Sequence, residues 1–223
     1  MSDPQTPPST PAKPKSRSML RFGLLALLGG IAAGALGVYV IESRSGNEVA
    51  DSCPLNNNLN ERVNASARGE VAAMLALDRP FDATALAFQS AEGEPMTLGD
   101  LRGKTLLVNI WATWCAPCRA EMPVLDQLEA EEGSDRFAVV PINIDLGKTD
   151  KPAEFYREYD LTHMPLYRDE TLELFNTLKS NGIAFGMPVT FLVDEEGCAR
   201  AAMNGPAEWA SPDAKSLINA FML

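Results

Sequence analysis

The chain has 223 residues, of which 30 are acidic and 19 are Lys or Arg, so its formal net charge at pH 7 is −11. A balance this acidic argues against nucleic acid as a partner, although an acidic surface is also an ordinary means of staying soluble. About 180 residues follow an apolar run near the N-terminus, which is enough for one domain with its own core.

The first forty residues contain that apolar run. Residues 22–41 carry no charged side chain, and about twenty such residues can span a hydrocarbon core as a helix. Four basic residues precede the run, namely Lys13, Lys15, Arg17 and Arg21. Because basic flanks stay on the cytoplasmic side, residues 1–21 are predicted to be a cytoplasmic tail, residues 22–41 a transmembrane anchor, and the rest to be exported. A cleaved signal peptide, cut near Ala33-Gly34-Ala35, is the alternative.

Residues 42–80 are predicted to form a linker and an N-terminal helical extension. The stretch up to Asn60 is polar and contains Pro54. From Glu61 to Leu77, apolar side chains recur at helical spacing, which indicates a helix with one buried stripe. The stripe consists of Val63, Ala67, Val71, Met74 and Leu75.

The remainder, residues 81–223, alternates strand-like and helix-like segments. Leu106–Trp111 is apolar on both faces, as in a buried strand, and a helix is predicted over Arg119–Glu132. Further predicted elements are a short strand near Leu86–Phe88, a turn-rich hairpin over Met96–Lys104, a strand parallel to the first at Phe137–Asp145, helices over Lys151–Tyr159 and Thr171–Ser180, a hairpin of strands Val189–Val193 and Cys198–Met203, and a final helix from Ser211. This order predicts one α/β domain with a central mixed sheet flanked by helices.

Two cysteines, Cys115 and Cys118, lie where the first strand meets its helix. Such a pair can cycle between dithiol and disulfide, and the helix N-terminus favours the thiolate of the first cysteine. Since a thiolate attacks other disulfides, the spacing predicts thiol–disulfide exchange. The alternatives are half of a zinc site, which would need further soft ligands, and a static structural disulfide.

The two other cysteines, Cys53 and Cys198, are isolated in the sequence. An exported domain meets an oxidising compartment, so we expect a structural disulfide between them that ties the start of the domain to its last hairpin. On a chain-entropy account, closing so long a loop contributes up to about 5 kcal/mol. The alternative is two unrelated free thiols.

The run from Trp111 to Pro123, with Gly186-Met187-Pro188-Val189-Thr190-Phe191 downstream, resembles the TlpA-like branch of the thioredoxin superfamily. The resemblance covers roughly residues 81–223 and implies a thioredoxin-like fold. The anchor, the helical extension and the second cysteine pair make the chain similar to alphaproteobacterial members of that branch. The resemblance implies a membrane-tethered reductant that faces the periplasm, uses no cofactor and serves the maturation of cytochrome c or of oxidase copper sites.

Carried over to this chain, the family motif makes Cys115 the attacking thiol and Cys118 the resolving thiol. It also implies a cis peptide bond before Pro188, beside the active site, which lets the Met187 backbone pair with a substrate strand. The residues expected on the substrate-binding face are Trp114, Ala116, Pro117 and Met187. Trp114 is further expected to pack with Trp111 around the disulfide and shield it, although Trp111 could equally be plain core.

One position departs from the superfamily pattern. Many thioredoxins have a buried aspartate six residues before the first cysteine, where this chain has Asn109, which cannot titrate. Members of the branch have an acidic residue three positions after the second cysteine, which is Glu121 here. We therefore expect Glu121 to accept the proton of Cys118 as a general base. The alternative for Glu121 is a solvated acid that interacts with the helix dipole.

These observations predict a protein-disulfide reductase, held in the bacterial inner membrane by a single anchor, with its soluble domain in the periplasm. Expected partners are disulfide-containing proteins, including copper-site assembly proteins or an oxidase subunit, and a membrane electron donor; we expect a monomer. One alternative is a disulfide oxidant or isomerase with the same cysteines. The other is a copper metallochaperone, which would need a nearby histidine; the single histidine, His163, is expected to be a surface or packing residue, and no metal site is predicted.

Overall fold

The computed structural model describes residues 53–223, so the predicted tail, the predicted anchor and the first part of the linker lie outside the described residues. Within residues 53–223, no helix combines the length and the apolar character needed to cross a membrane. These residues form the predicted thioredoxin-like α/β fold, a central mixed sheet flanked by helices.

The sheet contains eight strands and places β4 near its middle. The strands are β1 (Leu75–Asp82), β2 (Ala87–Gln89), β3 (Pro95–Thr97), β4 (Thr105–Trp111), β5 (Phe137–Asn143), β6 (Tyr167–Arg168), β7 (Val189–Val193) and β8 (Cys198–Asn204). Their order across the sheet is β1-β8-β7-β4-β5-β6-β2-β3. β4 runs parallel to β5 and antiparallel to β7. Every residue of β4 is buried, which agrees with its apolar character on both faces.

Five α-helices accompany the sheet in the described part of the chain. They are α1 (Asn57–Ser66), α2 (Ala116–Glu132), α3 (Lys151–Glu158), α4 (Glu173–Ser180) and α5 (Pro212–Phe221). Side chains before α1 and α5 cap them, because Asn56 accepts from the N–H of Leu59 and Ser211 accepts from the N–H of Ala214. α1 contacts α5 and α2 contacts β5, so the N-terminal extension packs on the domain.

The predicted helix over Glu61–Leu77 is wrong beyond Ser66, and the observed helix begins earlier, at Asn57. α1 ends at Ser66, and a short 3-10 helix covers Gly69–Val71. The residues that follow form β1, an edge strand that pairs antiparallel with β8. Pairing with a neighbouring strand overrides a helical spacing of a few apolar side chains. The expected boundary between extension and domain at residue 81 therefore falls inside β1.

The hairpin predicted over Met96–Lys104 lies further upstream. β2 and β3 form the hairpin, whereas Leu98–Leu101 is a 3-10 helix. That helix begins with a capping box, in which Thr97 and Asp100 each accept from the backbone N–H of the other. The two-residue strand β6, parallel to β5, is too short to leave a pattern in the sequence.

Candidate active site

Cys115 and Cys118 are joined in a disulfide at the N-terminus of α2. Cys115 is the N-cap residue, and its Sγ accepts from the N–H of Cys118 at 3.3 Å. Sulfur at this position faces the unpaired N–H groups and the positive end of the helix dipole, which stabilises a thiolate. Cys115 retains 7% of its surface and Cys118 none. Cys115 is therefore the sulfur that an external disulfide can reach.

The loop between β4 and α2 is fixed to the neighbouring strand. Asp145, just past the end of β5, accepts from the N–H of Thr113 at 3.1 Å and from its hydroxyl at 2.6 Å. Asn143 in turn accepts from the N–H of Asp145 at 3.0 Å. These bonds hold the residues before Cys115 at the carboxyl end of β4. Asp145 was not predicted as a site residue, although an acid at the end of a predicted buried strand was a usable signal.

The cis peptide bond Met187–Pro188 lies beside this loop. β7 begins with Val189 opposite Ile110 of β4, so the preceding residue reaches the strand end from which the active-site loop leaves. Pro188 is buried and Met187 is half-buried. The structure therefore brings together the cysteine pair and the cis-proline that the resemblance implied.

Asn204, at the end of β8, orders the segment that leads to the cis bond. Its Oδ1 accepts from the N–H of Phe185 at 2.8 Å and from that of Gly186 at 3.3 Å, and its Nδ2 donates to the carbonyl of Ile183 at 2.8 Å. One amide side chain therefore satisfies three backbone groups of an irregular loop. Nothing in the sequence pattern indicated this role.

Glu121 is buried, with 2% of its surface exposed, so the alternative of a solvated helix acid is wrong. Its Oε1 accepts from Asn109 Nδ2 at 2.8 Å. Its Oε2 accepts from Trp209 Nε1 at 3.1 Å and from the N–H of Ala207 at 3.2 Å. Burial raises the pKa of Glu121 from 4.5 to about 7, against the opposing effect of these hydrogen bonds. A carboxyl group with a pKa near neutrality can take up and release a proton.

Asn109 links Glu121 to β7. Its Nδ2 also donates to Thr190 Oγ1 at 2.9 Å, while no group in the described part of the chain donates to its Oδ1. Asn109, Thr190 and Trp209 are all fully buried. Neither Thr190 nor Trp209 was identified from the sequence, because a buried threonine or tryptophan in an apolar segment looks like core.

Residues 78–218 match the family described as Redoxin. The chain belongs to the Redoxin family. It is 35% identical over 111 residues to thioredoxin-like protein YneN of Bacillus subtilis (strain 168), covering 49% of this chain and 61% of that protein. It is 34% identical over 109 residues to thiol-disulfide oxidoreductase ResA of Oceanobacillus iheyensis, covering 49% of this chain and 54% of ResA. The match thus spans less than two thirds of either relative.

A crystal structure of a thiol:disulfide interchange protein DsbE from Chlorobium tepidum has a similar fold. The TM-score is 0.56 at 26% sequence identity, and the alignment covers 66% of this chain and 99% of that one.

Trp114 of this Redoxin domain lies at the surface, whereas it was expected to pack with Trp111 around the disulfide. Its side chain is 68% exposed, whereas Trp111 is fully buried and packs against Phe155 and Tyr156. Trp114 instead lines an open groove of about 420 Å³ whose apolar part includes Leu146 and Leu172. Of the other residues expected on the substrate-binding face, Ala116 and Pro117 are exposed.

A second disulfide joins Cys53 to Cys198, the pairing expected from the sequence. Both cysteines are buried. Next to the bridge, Arg200 donates to the carbonyl of Pro54 and to Asp194. The first described residue is thereby fixed to β8, at the side of the sheet that carries β1.

His163 lies on the surface and pairs with Asp126 of α2. Its Nδ1 is 2.7 Å from Asp126 Oδ2, and Asp126 Oδ1 accepts from the N–H groups of His163 and Met164. Burial acts to raise the pKa of Asp126, but these hydrogen bonds lower it below its usual value. Across residues 53–223, no group of three or more His, Cys, Asp or Glu side chains is arranged to hold a metal ion.

Proposed function

We propose that this chain is a membrane-tethered protein-disulfide reductase that acts by thiol–disulfide exchange. The observation that carries the proposal is the unequal burial of a disulfide-bonded pair at a helix N-terminus, with Cys115 partly accessible and Cys118 enclosed. An attacking thiolate must meet its substrate, whereas a resolving thiol needs to reach only the first sulfur. The relatives named thioredoxin-like protein and thiol-disulfide oxidoreductase support the same activity.

The reaction follows from these two environments. The Cys115 thiolate attacks one sulfur of a substrate disulfide, whose S–S bond breaks and whose second sulfur leaves as a thiolate. Cys118 passes its proton to Glu121 and attacks the Cys115 sulfur, which releases the first substrate sulfur. The substrate gains two electrons, and the chain is left with the Cys115–Cys118 disulfide seen in the structure.

Glu121 is the proposed proton acceptor for the second step. It follows Cys118 by three residues on the same helix, so the two side chains lie on one helical face. Its burial and its pKa of about 7 allow it to be a carboxylate before the step and a carboxylic acid after it. Three neutral donors hold the carboxylate in place.

We further propose that the chain is TlpA-like, with a periplasmic domain tethered to the inner membrane and a role in cytochrome c or oxidase maturation. The predicted anchor, the helix α1 packed on the domain and the Cys53–Cys198 bridge support this assignment, as does the resemblance of the active-site motif. Tethering would raise the effective concentration of the domain near a membrane electron donor and membrane-bound targets.

A trapping experiment tests the activity. Full-length Cys118→Ser protein is reduced and then mixed with disulfide-containing proteins of the same membrane fraction, and mass spectrometry locates the adducts. We expect mixed disulfides on Cys115 that are absent from a Cys115→Ser control. Adducts no more abundant than in that control would reject the proposal.

Equilibration with glutathione tests the direction of electron flow. A reduction potential of the Cys115–Cys118 pair well below about −180 mV is expected for a reductant. A potential above that value would instead indicate an oxidant or isomerase that uses the same cysteines.

A further inference from the structure

Only the NH2 group of the Asn109 side-chain amide makes hydrogen bonds to the described residues. Its Nδ2 donates to both Glu121 and Thr190, at 2.8 and 2.9 Å, whereas its buried Oδ1 has no hydrogen-bond partner among residues 53–223. A buried acceptor without a hydrogen bond destabilises a protein, because the hydrogen bond that it makes to water in the unfolded chain is not replaced. Such an atom in a native structure calls for an explanation.

The partners of Glu121 fit its ionised form and not its protonated form. The indole N–H of Trp209 and the backbone N–H of Ala207 can only donate. Asn109 contributes its NH2 group, which is also a donor. Once Glu121 carries a proton, its O–H needs an acceptor, and of these three groups the amide of Asn109 alone can supply one.

We propose that Asn109 is a positioning residue whose amide reverses when Glu121 gains or loses a proton. With the carboxylate, Nδ2 faces Glu121, as in this structure. With the carboxylic acid, a half-turn about the Cβ–Cγ bond brings Oδ1 to the same place, where it accepts the O–H of Glu121. Asn109 Oδ1, to which no described residue donates while Glu121 is ionised, is then the acceptor that protonated Glu121 needs.

Thr190 can follow the reversal without moving. A hydroxyl both donates and accepts, so Thr190 accepts from Nδ2 in one state and donates to Oδ1 in the other. The whole change is confined to one amide rotation and one hydroxyl rotation between β4 and β7. No backbone displacement is needed, which suits a group enclosed in a close-packed interior.

An aspartate at position 109 could not act in this way. It would place a second titratable carboxyl group against Glu121, and the two would titrate as a coupled pair. Glu121 lines a cavity of about 330 Å³ together with the carboxyl groups of Glu70 and Glu208, and Cys118, which has an ionisable thiol only after reduction, precedes it on the same helix. An amide adds no charge to these and leaves the proton on one group.

The inference rests on the proposed function only in assigning the proton of Glu121 to thiol–disulfide exchange. The reversal of the Asn109 amide can be measured without a substrate. Full-length oxidised protein in detergent micelles is labelled with 15N in asparagine side chains and 13C at the glutamate carboxyl carbon, and is titrated from pH 5 to 9. We expect the Asn109 amide signals to shift with the same midpoint as the Glu121 carboxyl signal. A static Asn109 amide while Glu121 titrates would overturn the proposal.

Variants separate positioning from plain packing. In Glu121→Gln the side-chain amide resembles the protonated acid, so the Asn109 signals are expected to stay at their low-pH position at every pH. In Asn109→Leu, loss of a donor to the carboxylate is expected to raise the Glu121 midpoint by at least one pH unit. Thr105 is another buried residue of β4. Thr105→Val is therefore the matched control and should leave the Glu121 midpoint unchanged. Unaltered titration of Asn109 in Glu121→Gln would reject the reversal, whatever the trapping experiment shows.

Discussion

Asp145 binds Thr113 through both of its carboxylate oxygens, one to the backbone N–H at 3.1 Å and one to the hydroxyl at 2.6 Å. Thr113 lies two residues before Cys115, so this pair couples the end of β5 to the active-site loop. The active-site loop is thus held by a residue that is distant in the sequence, and the position of Cys115 depends on the Asp145 side chain just past β5.

Replacing Asp145 with Ala is expected to destabilise the oxidised protein by about 1–3 kcal/mol, because two donors of Thr113 lose their acceptor in a half-buried place. The free energy of unfolding in urea measures this effect. Asp135→Ala, at an exposed loop position, serves as the control and should change stability by less than about 0.5 kcal/mol. Equal effects of the two substitutions would show that the Thr113 contact is unimportant.

Glu121→Gln is expected to slow the second step of exchange, because the side chain can no longer take the proton of Cys118. With Glu121 present, the rate should rise with pH through the region near its pKa of about 7, since only the carboxylate can accept a proton. The variant should lose this rise. Stopped-flow tryptophan fluorescence with a mixed-disulfide substrate, recorded from pH 5 to 9, measures both features, and identical profiles for the two proteins would exclude the role.

The same substitution gives a separate prediction for stability. The pKa of Glu121 is about 7 in the folded protein and has its ordinary value of 4.5 in the unfolded chain. Between these values the folded state binds more protons, so the free energy of unfolding falls as pH rises from about 4.5 to about 7, by on the order of 3 kcal/mol. Below pH 4.5 Glu121 is protonated in both states. Its contribution to the free energy of unfolding is then fully present and no longer changes with pH.

Glu121→Gln removes that titration, so the variant should gain stability relative to the parent between pH 4 and pH 8. Urea unfolding at the two pH values measures the gain. Glu208→Gln is the control, because Glu208 lines the same cavity but is exposed, and it should show no comparable change. A constant difference between parent and Glu121→Gln across this range would contradict the assigned pKa.

The Cys53–Cys198 bridge is expected to stabilise the fold without taking part in exchange. Replacing both cysteines with Ala should lower the free energy of unfolding by about 2–5 kcal/mol, since the bridge closes a long loop of the unfolded chain. Alkylation of reduced Cys115 by iodoacetamide should keep its rate, because the bridge fixes Cys53 to β8 and does not involve the active-site loop. A large change in the alkylation rate would connect the bridge to the active site.

The central elements were predictable because their signals are local. Leu106–Trp111 is apolar except for Asn109 and became part of the buried strand β4. Ser211 and Pro212 mark a helix start by their own chemistry and begin α5. The cysteine spacing identified the reactive pair for the same reason, since both residues lie on one turn.

The elements that were missed depend on distant partners. β1 is a strand because β8 is available to pair with it, and its first residue, Leu75, also continues the helical spacing of the segment before it. Glu121 acquires its environment from Asn109, Ala207 and Trp209, which are up to 88 residues away. The family resemblance implies a role for the acid three residues after Cys118, but it cannot show that three neutral donors surround that acid.

Trp114 offers a test of how the substrate docks. Its indole is 68% exposed beside Cys115 and lines a groove with Leu146 and Leu172, so the ring can contact a substrate and stabilises the folded chain little. Trp114→Ala should therefore change the free energy of unfolding by less than about 0.5 kcal/mol. It should raise the KM for a protein-disulfide substrate several-fold, because a large aromatic contact is lost at the point of attack. Leu55→Ala, at another exposed apolar residue, controls for a general loss of apolar surface; an equal rise in KM for both variants would place the docking contact elsewhere.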